Sequence, residues 1–131
     1  MILLDTNVVI AFFNGSKAVL ERVHAEIDRI ALSTLVVAEL DYGAKASQKA
    51  EENLEKLHRF VDIVRVVPFD LECAKIFGTI KSKLRKMGRP TGEVDALIAA
   101  TAMSNKAVLV TGNRKYFENI KGLKIKIWPT G

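Results

Sequence analysis

The sequence predicts an α/β fold organised on a parallel sheet, and three observations predict it. Strand-like and helix-like segments alternate along the whole chain. No internal repeat, low-complexity tract or long linker interrupts that alternation. The first apolar run, Ile2-Leu3-Leu4, stops at Asp5-Thr6-Asn7, and a second, Val8 to Phe13, resumes at once. An acid in that position sits at the end of a core strand, where open α/β sheets bind their ligands.

Ile2 to Leu4 is the first strand. Lys17 to Ile30 follows as a helix, because Val19, Leu20, Val23, Ile27 and Ile30 keep close to a 3.6-residue period. Ile30-Ala31-Leu32 is a short second strand, and Ser33 or Thr34 supplies an N-cap for the helix running through Glu39 to Lys45 or Ala46. Ala50, Leu54, Leu57 and Val61 give the next helix its apolar stripe, and Ile63 to Val67 is strand three. Pro68 ends it. Asp70 caps a long helix whose stripe is Leu71, Ala74, Phe77, Ile80, Leu84 and Met87, ending before Gly88.

Gly88 to Gly92 reads as a turn, and Glu93 to Asn105 as a helix with Val94, Leu97, Ile98, Thr101 and Ala102 inward. Ala107 to Val110 is strand four, Thr111-Gly112-Asn113 a loop, and Lys115 to Asn119 a short helix. Leu123 to Ile127 alternates lysine with apolar residues, as an edge strand does.

With 131 residues, 49% hydrophobic and 27% charged, residues 1–131 are expected to form a single domain with a sufficient core. No apolar stretch approaches the roughly 20 residues that span a bilayer, and no basic leader with a cleavage site opens the chain. A cytoplasmic address is the expectation. One cysteine, Cys73, excludes an internal disulfide and suits the inside of a helix. The formal charge of +5 comes from clusters at Lys81, Lys83, Arg85, Lys86 and Arg89, at Arg114 and Lys115, and at Lys121, Lys124 and Lys126. Such clusters suit a polyanion, although on charge alone a solvated helix face is the simpler reading.

Glu39 and Asp95 share the apolar dressing of Asp5, in Val36-Val37-Ala38-Glu39-Leu40 and Val94-Asp95-Ala96-Leu97-Ile98. Their positions argue against helix caps: Glu39 lies beyond the first turn after Thr34, and Asp95 is flanked by residues expected to be buried. Two carboxylates about 4 Å apart repel by roughly 4 kcal/mol at an effective dielectric near 20. No lysine or arginine stands within four residues of Asp5 or within five of Glu39. A divalent cation is then the expected counter-charge, and an all-oxygen set suits Mg²⁺ or Mn²⁺ better than Zn²⁺. An ion so held orients a phosphodiester and lowers the pKa of a bound water, which makes phosphodiester hydrolysis the natural reaction.

Those residues belong to a wider resemblance. Leu3-Leu4-Asp5-Thr6-Asn7-Val8-Val9-Ile10, Ser33 to Leu40 with Tyr42-Gly43, and Gly92 to Ala102 resemble the PIN-domain ribonucleases, specifically the VapC toxins of prokaryotic toxin–antitoxin pairs. Val110-Thr111-Gly112-Asn113, Phe117, Gly122-Leu123 and Trp128 complete the match, which covers nearly the whole chain. The resemblance implies a three-layer α/β/α sandwich with a mainly parallel sheet of four to five strands. It further implies Mg²⁺- or Mn²⁺-dependent RNA cleavage, a homodimer and a cognate antitoxin that blocks the site.

Asp5, Glu39 and Asp95 fall on the family's catalytic, metal-holding acids. Thr6 or Asn7 would support the first acid, and Thr111 the far side of the site. Where many relatives carry a fourth acid this chain has Asn113, and Tyr116 stands where an acid often precedes the phenylalanine. Asn113 keeps the capacity to accept a hydrogen bond from a metal-bound water. Glu93 points about 200° away from Asp95 on a helix and is not read as a ligand.

Other chemistries fit less well. His24 and His58 lie on helical segments without a nucleophile elbow, and a phosphatase built on Asp5 would repeat the acid where Asn7 stands. The alternative outside enzymology is a non-cleaving PIN-like scaffold that binds RNA or protein.

Overall fold

The structure is a computed structural model and describes residues 1–89 and 91–130. Five strands, β1 (Ile2–Leu4), β2 (Ile30–Ser33), β3 (Arg65–Val67), β4 (Val108–Thr111) and β5 (Ile125–Ile127), form one sheet in the order β3-β2-β1-β4-β5. Every neighbouring pair is parallel. All residues of β1 and β2 are buried, so helices cover both faces of the sheet, the layering the resemblance implies. The helices are α1 (Thr6–Phe13), α2 (Lys17–Glu26), α3 (Thr34–Ala46), α4 (Ala50–Ile63), α5 (Leu71–Met87) and α6 (Glu93–Ser104).

The strand order places the site. From β1 the chain moves outward through β2 to β3, then returns across the sheet to add β4 and β5 on the other side. The reversal falls between β1 and β4, and at such a switch point the connections leaving neighbouring strands diverge and open a crevice at their carboxyl ends. Asp5 leaves β1 and Thr111 ends β4 at that crevice, with Leu4 in register beside Val110. The Asp5 N–H donates to the Val110 carbonyl at 2.8 Å, which extends the ladder by one residue.

Local signals account for most elements. The Ser33 hydroxyl accepts from the Val36 N–H at 3.1 Å and the Asp70 carboxylate accepts from the Cys73 N–H at 3.0 Å, both as N-caps. Gly88 ends α5 in the left-handed region at φ 66°, as expected there; Pro90, in the predicted 88–92 turn, lies outside the described residues. Cys73 is buried in α5. Phe117 and Trp128 are among the largest fully buried side chains and close the core beneath the carboxyl-terminal segment.

Several expectations are corrected. Val8 to Phe13, left without an element, is the body of α1, and Asp5 caps it. The helix after Lys17 ends at Glu26 and gives way to a 3₁₀ turn over Ile27–Arg29, because Ile30 is drawn into the sheet. Ile63 ends α4, exposed, instead of opening β3. Thr111 is the last residue of β4, not loop, and the short helix after Asn113 is a 3₁₀ turn over Arg114–Tyr116. Leu71, Met87 and Val94, expected inward, are exposed because each lies at a helix end beyond the reach of the sheet.

Candidate active site

Each acid arrives on its own element. Asp5 follows β1, Glu39 lies in the second turn of α3, which leaves the carboxyl end of β2, and Asp95 lies in the first turn of α6, which leads down into β4. A helix that feeds a parallel strand must begin at the opposite edge of the sheet, so the amino end of α6 stands over the same crevice as α1 and α3.

Asp5 is the fixed point of the site. Only 5% of its surface is exposed. Its Oδ1 accepts from the Thr6 N–H at 2.9 Å and its Oδ2 accepts from the Thr111 hydroxyl at 2.8 Å. The Thr111 oxygen in turn accepts from the Asn113 N–H at 3.2 Å, which orients the hydroxyl proton toward Asp5. Trp128 adds a further restraint, its N–H donating to the Thr111 carbonyl at 3.1 Å. Thr6 reaches the other way: its hydroxyl donates to Glu39 Oε1 at 2.5 Å, tying the amino end of α1 to α3.

The electrostatics show the three acids in each other's field. Burial holds the Asp5 carboxyl above its ordinary value; hydrogen bonds from Thr111 and Thr6 oppose that rise, and the Glu39 charge adds to it. Asp95 is pushed up to about 6, first by burial and then by the negative charges of Asp5 and Glu39. Among the described residues no lysine, arginine or histidine pairs with any of the three. Asp5, Glu39 and Asp95 thus lie near enough for the charge of Glu39 to act on both aspartates and that of Asp5 on Asp95. Among the described residues, no three acid, histidine or cysteine side chains are already gathered closely enough to enclose a metal ion.

The family model described as PIN domain matches residues 2–123. The chain is 35% identical over 127 residues, 96% of each protein, to the tRNA(fMet)-specific endonuclease VapC of Shigella flexneri. Its structure is similar to a chain of the DNA-bound VapBC complex from Salmonella typhimurium, with a TM-score of 0.91, 34% identity and 97% of both chains covered. It is also similar to a chain of VapBC2 from Rickettsia felis bound to a promoter DNA fragment, with a TM-score of 0.91, 32% identity and 98% and 99% of the two chains covered. The chain belongs to the PIN-domain family, in its VapC branch.

In this PIN domain Thr6, Asn7 and Asn113 have different duties from those expected. Thr6 supports Asp5 through its backbone and Glu39 through its side chain. Asn7 is exposed, on a shallow depression shared with Ile10, Asn14 and Thr130, and bonds neither acid. Asn113 acts through its N–H on Thr111, while its side-chain oxygen accepts from the Lys115 N–H at 3.0 Å and caps the 3₁₀ turn. Despite its apolar neighbours in sequence Glu39 is exposed, and so, against expectation, is Val94 beside Asp95, at 39%. Both belong to the rim of the crevice, where an apolar neighbour in sequence faces solvent.

Two contributors escaped the sequence reading. A Cβ at Gly112 would stand 2.7 Å from Thr130 Cγ2, so the glycine lets the carboxyl-terminal segment close over the end of β4. A Cβ at Gly92 would meet Asp95 Oδ2 at 3.2 Å, which leaves the Asp95 carboxylate room at the helix start. Neither close approach leaves a trace in local sequence.

Proposed function

We propose that this chain is an endoribonuclease that hydrolyses RNA phosphodiester bonds with the help of Mg²⁺ or Mn²⁺, working as the toxin of a toxin–antitoxin pair. The observation that carries this reading is the buried Asp5, held at the β1–β4 switch point by Thr111, with the charges of Asp5 and Glu39 acting on Asp95 and, among the described residues, no cationic side chain paired with any of the three. A set of carboxylate oxygens without histidine or thiolate suits a hard divalent cation. Asp5, Glu39 and Asp95 would hold it. When bound, the ion supplies Lewis-acid stabilisation of the phosphate's charge and makes water a stronger nucleophile.

The chain's own residues do the rest. Thr111 and the Thr6 N–H favour the ionised form of Asp5 against the burial that opposes it, and fix the direction of its carboxylate. Thr6 keeps Glu39 from swinging away into solvent. Asp95, its pKa pushed up to about 6, would hold a proton below that pH in the absence of a cation and would give it up on cation binding. No side-chain nucleophile is needed, and hydrolysis leaves a 5′-phosphate and a 3′-hydroxyl.

Residues 1–131 work as a single PIN domain. The relatives' names support an RNA substrate and, through their VapBC complexes, a cognate antitoxin. A homodimer and a cytoplasmic location complete the reading; no helix among the described residues is long and apolar enough to cross a membrane. The deciding experiment is incubation of the pure protein with structured RNA and Mn²⁺ or Mg²⁺. Cleavage abolished by EDTA and by Asp5→Asn is expected. Tight RNA binding without cleavage in either metal would instead make the protein a scaffold.

A further inference from the structure

A groove whose lining includes none of the three acids lies along the carboxyl end of α5. Lys81, Arg85 and Arg89 line it together with Ser82 and Thr91. Lys81 and Arg85 are four residues apart and so share one face of α5. The macrodipole gives Arg85 a structural reason to sit in the last turn of α5, but not Lys81, which lies a turn earlier. Among the described residues Arg85 and Arg89 enter no ion pair. Lys81 has one partner, Glu93 on the first turn of α6, with Nζ 2.9 Å from Oε1 and the glutamate side chain 71% exposed.

The position of the groove relative to the acids is fixed by α6. Glu93 and Asp95 project from opposite sides of its first turn, so a helix diameter, about 10–12 Å with side chains, separates the groove from the acid site. An RNA strand crossing the amino end of α6 covers that span with neighbouring phosphates.

We propose that this groove is a phosphate track for the RNA strand flanking the cut site, and that Glu93 occupies Lys81 as a stand-in for phosphate until RNA displaces it. The proposal takes the identity of its polyanion from the endoribonuclease reading. Lys81 and Arg85 attract the backbone; Glu93 lowers the affinity by pairing with one of them and by repelling phosphate. Exposed ion pairs of this kind are weak, so exchange of the glutamate for a phosphate is easy.

The test measures binding of a fluorescent single-stranded oligoribonucleotide in EDTA, where no cleavage occurs, as a function of salt. Lys81→Gln and Arg85→Gln should each weaken binding by about three- to tenfold near 0.1 M salt and lower the slope of log K against log salt by about 1. Arg85→Lys should restore both. Glu93→Gln should act in the opposite direction, tightening binding by about two- to fivefold, and should have no such effect in a Lys81→Gln background beyond the loss of its own charge. Lys49→Gln, at the start of α4, is the control and should leave affinity within about twofold.

Equal losses for the Lys49, Lys81 and Arg85 variants would overturn the track, as would Glu93→Gln that weakens binding or leaves it unchanged. Absence of RNA binding by the parent protein would also overturn it. Groove variants that alter binding while the parent never cleaves in Mn²⁺ would uphold the track and sink the nuclease reading. Cleavage by a parent whose binding ignores Lys81, Arg85 and Glu93 would do the reverse.

Discussion

The Thr111 hydroxyl donates to Asp5 Oδ2 at 2.8 Å, across 106 positions of sequence, and joins the ends of β1 and β4 at the point where the sheet changes direction. Both residues are buried. The bond therefore serves two purposes, satisfying a desolvated carboxylate and fixing the direction in which it presents its charge.

Thr111→Val keeps the shape of the side chain and removes the donor. Leaving a buried carboxylate short of one hydrogen bond should cost about 1–3 kcal/mol and move the Asp5 pKa further upward. Urea denaturation at pH 7 in EDTA measures the first effect, and Thr111→Ser should recover most of it. Cleavage should fall with the valine variant even where the protein is fully folded.

Asp95→Asn should stabilise the metal-free protein at neutral pH. A carboxyl whose folded pKa is about 6, above its unfolded value near 3.8, binds more protons folded than unfolded between those values. Stability from this group is complete below pH 4 and is lost as pH rises through 6. Discounted for the partial solvent exposure of the side chain, the gain from the asparagine is about 1–2 kcal/mol at pH 7 and near zero at pH 4. Denaturation curves at the two pH values check it. The stabilisation on adding Mn²⁺ should shrink in the variant. An equal effect at both pH values would remove the electrostatic explanation.

The acid limb of the cleavage profile should follow the same group. Cation binding requires Asp95 ionised, so cleavage at low Mn²⁺ should fall as pH drops through about 6. Raising the Mn²⁺ concentration should move that limb to lower pH. A limb that ignores metal concentration would assign it to another group.

Thr6→Val releases Glu39 without emptying a buried space, since Glu39 is exposed and Thr6 only half-buried. Melting temperature should change little, consistent with a loss under about 1 kcal/mol. The apparent affinity for Mn²⁺ should fall instead, by about three- to tenfold, because an unrestrained glutamate must be ordered on binding. Titration of Mn²⁺ against cleavage separates the two effects.

Sequence carries those features of the fold and the site that are written in short range. The stop of an apolar run at Asp5, the cap at Ser33 and the glycine after α5 each announce themselves within a few residues, and together they yield the strands and most helices. That Asp5, Glu39 and Asp95 belong to one edge of the sheet follows once the strand ends are placed. Helix α1 does not announce itself: six consecutive apolar residues from Val8 show neither a period of two nor of 3.6. Exposure of Glu39 and Val94 depends on where the crevice opens, which is a tertiary property. The duties of Thr6 and Asn113, the packing of Thr130 against Gly112 and the pairing of Lys81 with Glu93 all join segments that sequence leaves unrelated.

The most direct measurement is a crystal of the protein grown or soaked in Mn²⁺ and read by its anomalous signal. The account predicts a manganese peak at the carboxyl edge of β1, coordinated by oxygens of Asp5, Glu39 and Asp95 and lost in Asp5→Asn. A crystal saturated with Mn²⁺ that shows no peak there, or a peak touching none of these three carboxylates, would contradict it.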